Sequence, residues 1–288
     1  MRIAVIGSTG QLGTDLVKAL QEEHEVISLT HHDIEVADYD SCRILVKHNP
    51  SLIVNTAAFH KVDLCEEEPL KTFSVNTMGA RNISVISREL GAISLFVSTD
   101  FVFDGSKNQP YTEDDQPNPL NTYGISKLAG ELYTKQNPSH YIIRVASLFG
   151  VAGASGKGGN FIETMIAKAQ KGEAITVVDD MWMSPTYTMD AAVTISKIVD
   201  SKLPFGTYHV TNEGYCTWFE FAKKIFRLSE LDANLSAMKT DQRHPKAVRP
   251  RFSALKSVRL SKFNIRTREW EEALKDYLTQ KGYLMTHT

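Results

Sequence analysis

Residues 5–13 read VIGSTGQLG, and this stretch decides the fold. The run RIAVI at 2–6 reads as a buried strand, and Leu12, Leu16, Val17 and Leu20 recur at helical spacing over 11–22. Gly7, Gly10 and Gly13 fall at the junction, spaced G-x-x-G-x-x-G. Glycine lets the backbone turn tightly and approach a pyrophosphate, whose charge the helix N-terminus meets. A strand before and a helix after are the context such a motif requires, so a nucleotide cradle is expected here, not a plain strand–helix turn.

Working outward, strand signals recur at 25–29, 51–55, 92–98 and 141–146. Helical patterns lie between them, notably over 68–90 and 122–136. Apolar strands alternating with helices predict a parallel sheet covered on both faces. After about residue 150 the pattern loosens. A glycine-rich loop, GVAGASGKGGN (150–160), leads to a helix at 161–171, a strand at 174–178 and a helix at 188–200. A short strand at 207–210 and a helix at 217–228 follow, then a basic segment, RHPKAVRPRFSALKS (243–257), and a last helix at 268–281. With no internal repeat and no low-complexity linker, the second region is expected to pack directly on the first.

Composition narrows the function. A chain of 288 residues with 42% hydrophobic and 23% charged side chains is ordinary for a globular protein. A net charge of −2 gives no electrostatic case for nucleic acid or an anionic membrane as partner. Nine histidines without ligand spacing, and three scattered cysteines (Cys42, Cys65, Cys216), argue against a metal site or a disulfide framework. The opening MRIAVIG is too short for a signal peptide or a membrane span, so a cytoplasmic location is expected.

After the second strand the chain reads SLTHHD, with Thr30 and His31 where a carboxylate would bind the ribose of NAD. That favours NADP(H), although nearby Asp33 keeps NAD(H) open. Further on, FVSTDFVFDG (96–105) runs out at Ser98, Thr99 and Asp100, at the carboxyl end of a strand, where open parallel sheets bind ligands. NTYGISKLAGE (121–131) then places Tyr123 and Lys127 one helical turn apart on one face. A phenol of ordinary pKa near 10 is a poor acid at pH 7, and a neighbouring ammonium with a bound nicotinamide ring favours its ionised form. With the Thr99 hydroxyl, the set can protonate a carbonyl oxygen while hydride reaches its carbon.

These residues, with IVNTAAFHKVDLCEEEP, VNTMGARNI, STDFVFDG, PYTEDDQPNPLNTYGISKLAGE, GGNF, SPTYTMDAA and RPRFSAL, span nearly the whole chain. In them the sequence resembles the extended short-chain dehydrogenase/reductase superfamily and, within it, the dTDP-4-dehydrorhamnose reductase family. The resemblance implies an α/β fold: a Rossmann-like doubly wound parallel sheet from 1–150, with some later segments returning to it, and a smaller α/β sugar-nucleotide domain mainly from 151–288. It implies NAD(P)H-dependent reduction of the 4-keto group of a nucleotide-linked deoxy sugar, and is compatible with a homodimer. It makes Tyr123 the proton donor, Lys127 its electrostatic partner and Thr99 the third catalytic hydroxyl. Gly7, Thr9, Gly10, Gln11 and Leu12 would then line the pyrophosphate, and Asp38 and Tyr39 the adenine. Thr30, His31, Ala57, Ala58, Phe59, Asn76 and Ser98 would complete the cofactor site. Val62, Asp100, Phe101, Phe103, Ser147, Asn160 and Arg249 would lie near the sugar nucleotide.

The chain departs from the family in its pocket. Where the family has a tryptophan after the fifth strand, RVASLFG carries Ser147. In DDMWMSPT, Met181 and Met183 replace glutamine and glycine, and Trp182 is a candidate to fill the lost space, with core packing as the alternative. The exact sugar is left open by these changes. Two rival readings stand: a sugar-nucleotide epimerase or dehydratase, and a non-catalytic NADP-binding regulatory subunit. The complete Thr–Tyr–Lys set argues against the second.

Overall fold

The computed structural model describes residues 1–153, 159–242 and 245–284. Five strands, β1 (Arg2–Ile6), β2 (Glu25–Leu29), β3 (Leu52–Asn55), β4 (Ile93–Thr99) and β5 (His140–Val145), build the sheet together with a sixth, Gly206–His209. The order is Gly206–His209, β5, β4, β3, β1, β2, and every pairing is parallel. The chain leaves β1 toward β2 and then crosses to β3 on the other side. That reversal opens a crevice at the carboxyl ends of β1 and β3.

Side chains alternate across the strands. Ile3, Val5, Leu52 and Val54 pack under α1 (Gln11–Leu20) and the helix Thr188–Asp200. Ala4, Ile6 and Ile53 face the other way, against Cys42, Leu45, Ile83 and Ile86. Because both faces are covered, the strands read as unbroken apolar runs. A second core gathers Phe149, Tyr187 and Tyr277 with the helices Phe161–Gln170, Trp218–Leu228 and Trp270–Gln280. The helix Thr188–Asp200 and the strand Gly206–His209 belong to the first core, although they follow residue 150 in the chain.

The expected helix at 68–90 is not continuous. It runs as Pro69–Phe73, a π-helical turn at Ser74–Met78, then Gly79–Glu89. Such wide turns occur preferentially at functional sites, and this one carries Asn76, described below. The short helices Tyr39–Cys42 and Ile44–His48 leave too little periodicity to be seen in the sequence. No helix among the described residues is long and apolar enough to cross a membrane.

Candidate active site

A cavity of about 990 Å³ runs along the carboxyl ends of β1, β3, β4 and β5. At one end lies the glycine turn. Gly7 has φ +77°, and a Cβ there would stand 2.5 Å from Thr56 Oγ1. A Cβ on Gly13 would meet the Gly7 carbonyl oxygen at 2.1 Å, so the helix can approach the turn only with glycine at that position. Gly10 caps α1 without a side-chain hydrogen bond, and the first turn carries no acidic residue. The Oε1 atom of Gln11 is buried with no partner among the described residues. An uncapped helix start and a turn pared to backbone together fit a bound pyrophosphate.

Thr30 and His31 line the cavity beyond this cradle, as expected. Asp33 does not: its carboxylate accepts from the Thr30 amide at 2.8 Å and the Thr30 hydroxyl at 2.7 Å, which also hold its pKa below the usual value. The residues expected at the adenine, Asp38 and Tyr39, stand outside the cavity. Ile34, Glu35 and Val36 line it there instead. Asp38 spends its carboxylate capping the helix at 39–42, accepting from Asp40 N and Ser41 N, and the Tyr39 hydroxyl donates to Glu89 at 3.0 Å. Glu35 was missed because it lies past the position at which the sequence motif looks for an acid.

After β3, Ala57, Ala58 and Phe59 line the cavity with Val62. Asn76 is not a lining residue. Fully buried, it takes the Phe59 amide on Oδ1 at 2.8 Å and donates from Nδ2 to the Phe59 carbonyl at 3.0 Å and the Ser126 hydroxyl at 3.0 Å. It therefore fastens the cavity wall to the helix Thr122–Thr134.

That helix starts where Asn121 accepts from the Gly124 amide at 2.8 Å. Small residues beside Tyr123 and Lys127 have a steric reason. A Cβ on Gly124 would stand 2.2 Å from the Phe101 carbonyl oxygen, and one on Gly130 2.7 Å from the Asn76 carbonyl oxygen. The helix thus lies directly on the end of β4. Ser98, Thr99, Asp100, Phe101, Tyr123 and Lys127 all line the cavity. The Thr99 hydroxyl donates to Asp100 Oδ1 at 3.0 Å and accepts from the Phe101 amide at 3.2 Å. Burial pushes the Tyr123 phenol up, against the nearby Thr99 hydroxyl and with the Asp100 charge. Burial also pulls Lys127 down to about 7, opposed by Glu131. Asp100 is pushed up to about 6 by burial, opposed by the Ser253 and Thr99 hydroxyls.

Toward the second core, Ser147 and Asn160 line the cavity. Ser147 has φ +42°, a left-handed conformation that a bulky side chain resists. Asn160 caps the helix at 161–170, with Nδ2 donating to the Tyr277 hydroxyl at 3.0 Å. Two residues expected at the sugar do not line the cavity. Phe103 is fully buried, stacked on Tyr111 at 4.2 Å, and has no face to offer a ligand. Arg249 lies outside the lining, its guanidinium on Asp63 at 2.8 Å. Trp182 also stays outside, stacked on Phe252 with its edge to Tyr215, so it does not replace the lost indole. The aromatic wall is made instead by Phe161 and Trp218, whose rings lie 4.8 Å apart. In the sequence Trp218 passes for one more core aromatic at a helix start.

A parallel sheet with a glycine cradle after its first strand and a Thr–Tyr–Lys set at its fourth defines an extended short-chain dehydrogenase/reductase. The RmlD substrate binding domain model matches residues 1–282, and the chain belongs to that family. It is 38% identical over 287 residues to the spore coat polysaccharide biosynthesis protein SpsK of Bacillus subtilis, covering 98% of each chain. The crystal structure of a dTDP-4-dehydrorhamnose reductase from Clostridium acetobutylicum superposes with a TM-score of 0.93 at 35% identity, over 98% of this chain and all of that one. The dTDP-4-dehydrorhamnose reductase of Bacillus anthracis, solved in complex with NADP, gives 0.91 at 35% identity, covering 97% and 99%.

Proposed function

We propose that the chain reduces the 4-keto group of a dTDP-linked 6-deoxy sugar with NADPH, dTDP-4-dehydrorhamnose to dTDP-L-rhamnose being the reading the relatives favour. The observation that carries it is the convergence of Thr99, Tyr123 and Lys127 on one cavity with the glycine cradle. The relatives named as reductases and the complete proton-transfer set set aside the epimerase and regulatory-subunit readings. NADPH held along Gly7–Gly13, Thr30, His31 and Ala57–Phe59 would supply the hydride. Tyr123 delivers its proton to the keto oxygen, and Thr99 hydrogen-bonds the same oxygen. The Lys127 ammonium eases proton loss from Tyr123 and holds the nicotinamide ribose. In this reading residues 1–150 with the returning segment 188–210 form the cofactor unit, and most of the remainder forms the sugar-nucleotide unit, in a cytoplasmic enzyme. The three cysteines are buried and joined in no disulfide among the described residues, which agrees with that location. The test is loss of NADPH absorbance with purified protein and a panel of dTDP-4-keto sugars; absence of turnover on every one rejects the proposal.

Two expected results belong to this site. NADPH binds more tightly than NADH in fluorescence titrations, and Glu35→Gln widens the ratio by about 3- to 5-fold, because a half-buried carboxylate lining the cavity repels a 2′-phosphate through a screened field. An unchanged ratio places the 2′-phosphate away from Glu35. Trp218→Ala raises KM for the sugar nucleotide about tenfold through lost apolar contact, with NADPH affinity unchanged. Equal losses for both ligands would mean that the indole only supports the fold.

A further inference from the structure

Lys127 is 2% exposed, and its ammonium sits 4.0 Å from the centroid of the Phe96 ring. Phe96 and Ser98 alternate to the same face of β4, the face on which the helix Thr122–Thr134 lies. One helical turn after Lys127 comes Glu131, fully buried. Its Oε1 accepts from the Ser98 hydroxyl at 2.6 Å and from Arg144 Nε at 2.9 Å, and its Oε2 from the Arg144 guanidinium at 2.7 Å. Arg144 lies opposite Ser98 in the β4–β5 register and is itself buried. A buried ion pair carries a desolvation cost that an apolar pair of similar volume avoids, so it is poor evidence for stability alone. Here it stands beside the buried ammonium of the site.

Resting on the reductase reading, we propose that Glu131 and Arg144, with the face of Phe96, are positioning residues that set the charge of Lys127. The titratable and charged groups around this ammonium are Tyr123 and Glu131 on its own helix, Asp100 at the end of β4 and Arg144 on β5. Cys65 lies beyond Tyr123, and His209 stands behind Arg144 with its Nε2 at 3.4 Å, kept neutral by burial. Glu131 attracts the ammonium and Arg144 repels it, so the pair acts as a balance. Removing either partner breaks both Glu131–Arg144 hydrogen bonds, yet leaves opposite charges beside Lys127.

The test is the pH at which kcat/KM falls on the alkaline side, where Lys127 loses its proton. Glu131→Gln leaves two buried cations and moves that fall to lower pH by about 1 unit or more; Arg144→Met leaves a carboxylate without its cation, held by the Ser98 hydroxyl alone, and moves it by a similar amount to higher pH. The double variant returns it close to the wild-type position. Phe96→Leu, which spares the ion pair and keeps the core filled, moves it the same way as Glu131→Gln and carries the test if a single charge variant does not fold. Melting temperatures control for stability. Shifts of one sign in both charge variants, or no shift in any variant, overturn the proposal. The same signs are read in the pH dependence of NADPH affinity, which needs no sugar. If no sugar turns over, the reductase reading has failed, and the charge balance is still judged on that titration.

Discussion

Tyr123→Phe lowers turnover on the true sugar substrate by roughly 10²–10⁴, with NADPH affinity and melting temperature nearly unchanged. The substitution removes one oxygen and leaves the ring, which meets Phe101 edge-on with centroids 6.0 Å apart. What is lost is the proton source at the cavity, since the Thr99 hydroxyl can hydrogen-bond a keto oxygen but is far too weak an acid to replace a phenol. The raised pKa of the buried phenol means that Tyr123 carries its proton throughout the neutral range. Stopped-flow measurement of NADPH oxidation separates this loss from slow product release. Near-normal turnover in the variant would place the proton donor elsewhere and reject the assignment.

Gly13→Ala is the second large effect, and it acts through backbone. The added methyl would meet the Gly7 carbonyl oxygen at 2.1 Å, the Gly7 carbonyl carbon at 2.9 Å and the Ser8 Cα at 3.1 Å. None of these atoms can rotate away, so α1 must draw back from the turn. Overpacking of this kind costs about 1–3 kcal/mol, and the displaced helix start loses its approach to the pyrophosphate. NADPH affinity is expected to fall by about 10- to 100-fold, with a clear drop in melting temperature. Gly10→Ala is the control: its nearest neighbour stands at 3.1 Å, and the loss should be smaller. Equal, small effects at both positions would mean that the turn has slack that the geometry denies.

What the sequence made legible follows physical range. The five apolar strands and the glycine turn are local signals, and all were readable, β1 and β2 to the residue. The catalytic set was readable because i and i+4 on a helix share a face. Residues that act through long-range contact were not. Phe103 and Arg249 sit in matching motifs, but only the fold shows one ring sealed in a core and one guanidinium committed to Asp63. Asn76 was placed at the cofactor, yet its two-way clamp on Phe59 depends on a π-helical turn that an apolar pattern does not report. Trp218 reaches the cavity only through the way a distant segment folds over it, and Glu35 lies just past the position at which the motif looks for an acid.

The position of the strand Gly206–His209 bears on how this chain is made. It closes the sheet beside β5, whose residues Tyr141–Val145 are all buried in the finished protein. During synthesis β5 emerges some 60 residues before its outer neighbour, and until then it presents unpaired amides and carbonyls along an apolar edge. Such an edge invites pairing with other chains. A nascent chain stalled in this interval is thus the form most exposed to aggregation. A fragment cut at residue 150 would hold that state permanently, because the strand and helix that cap it lie on the far side of the cut.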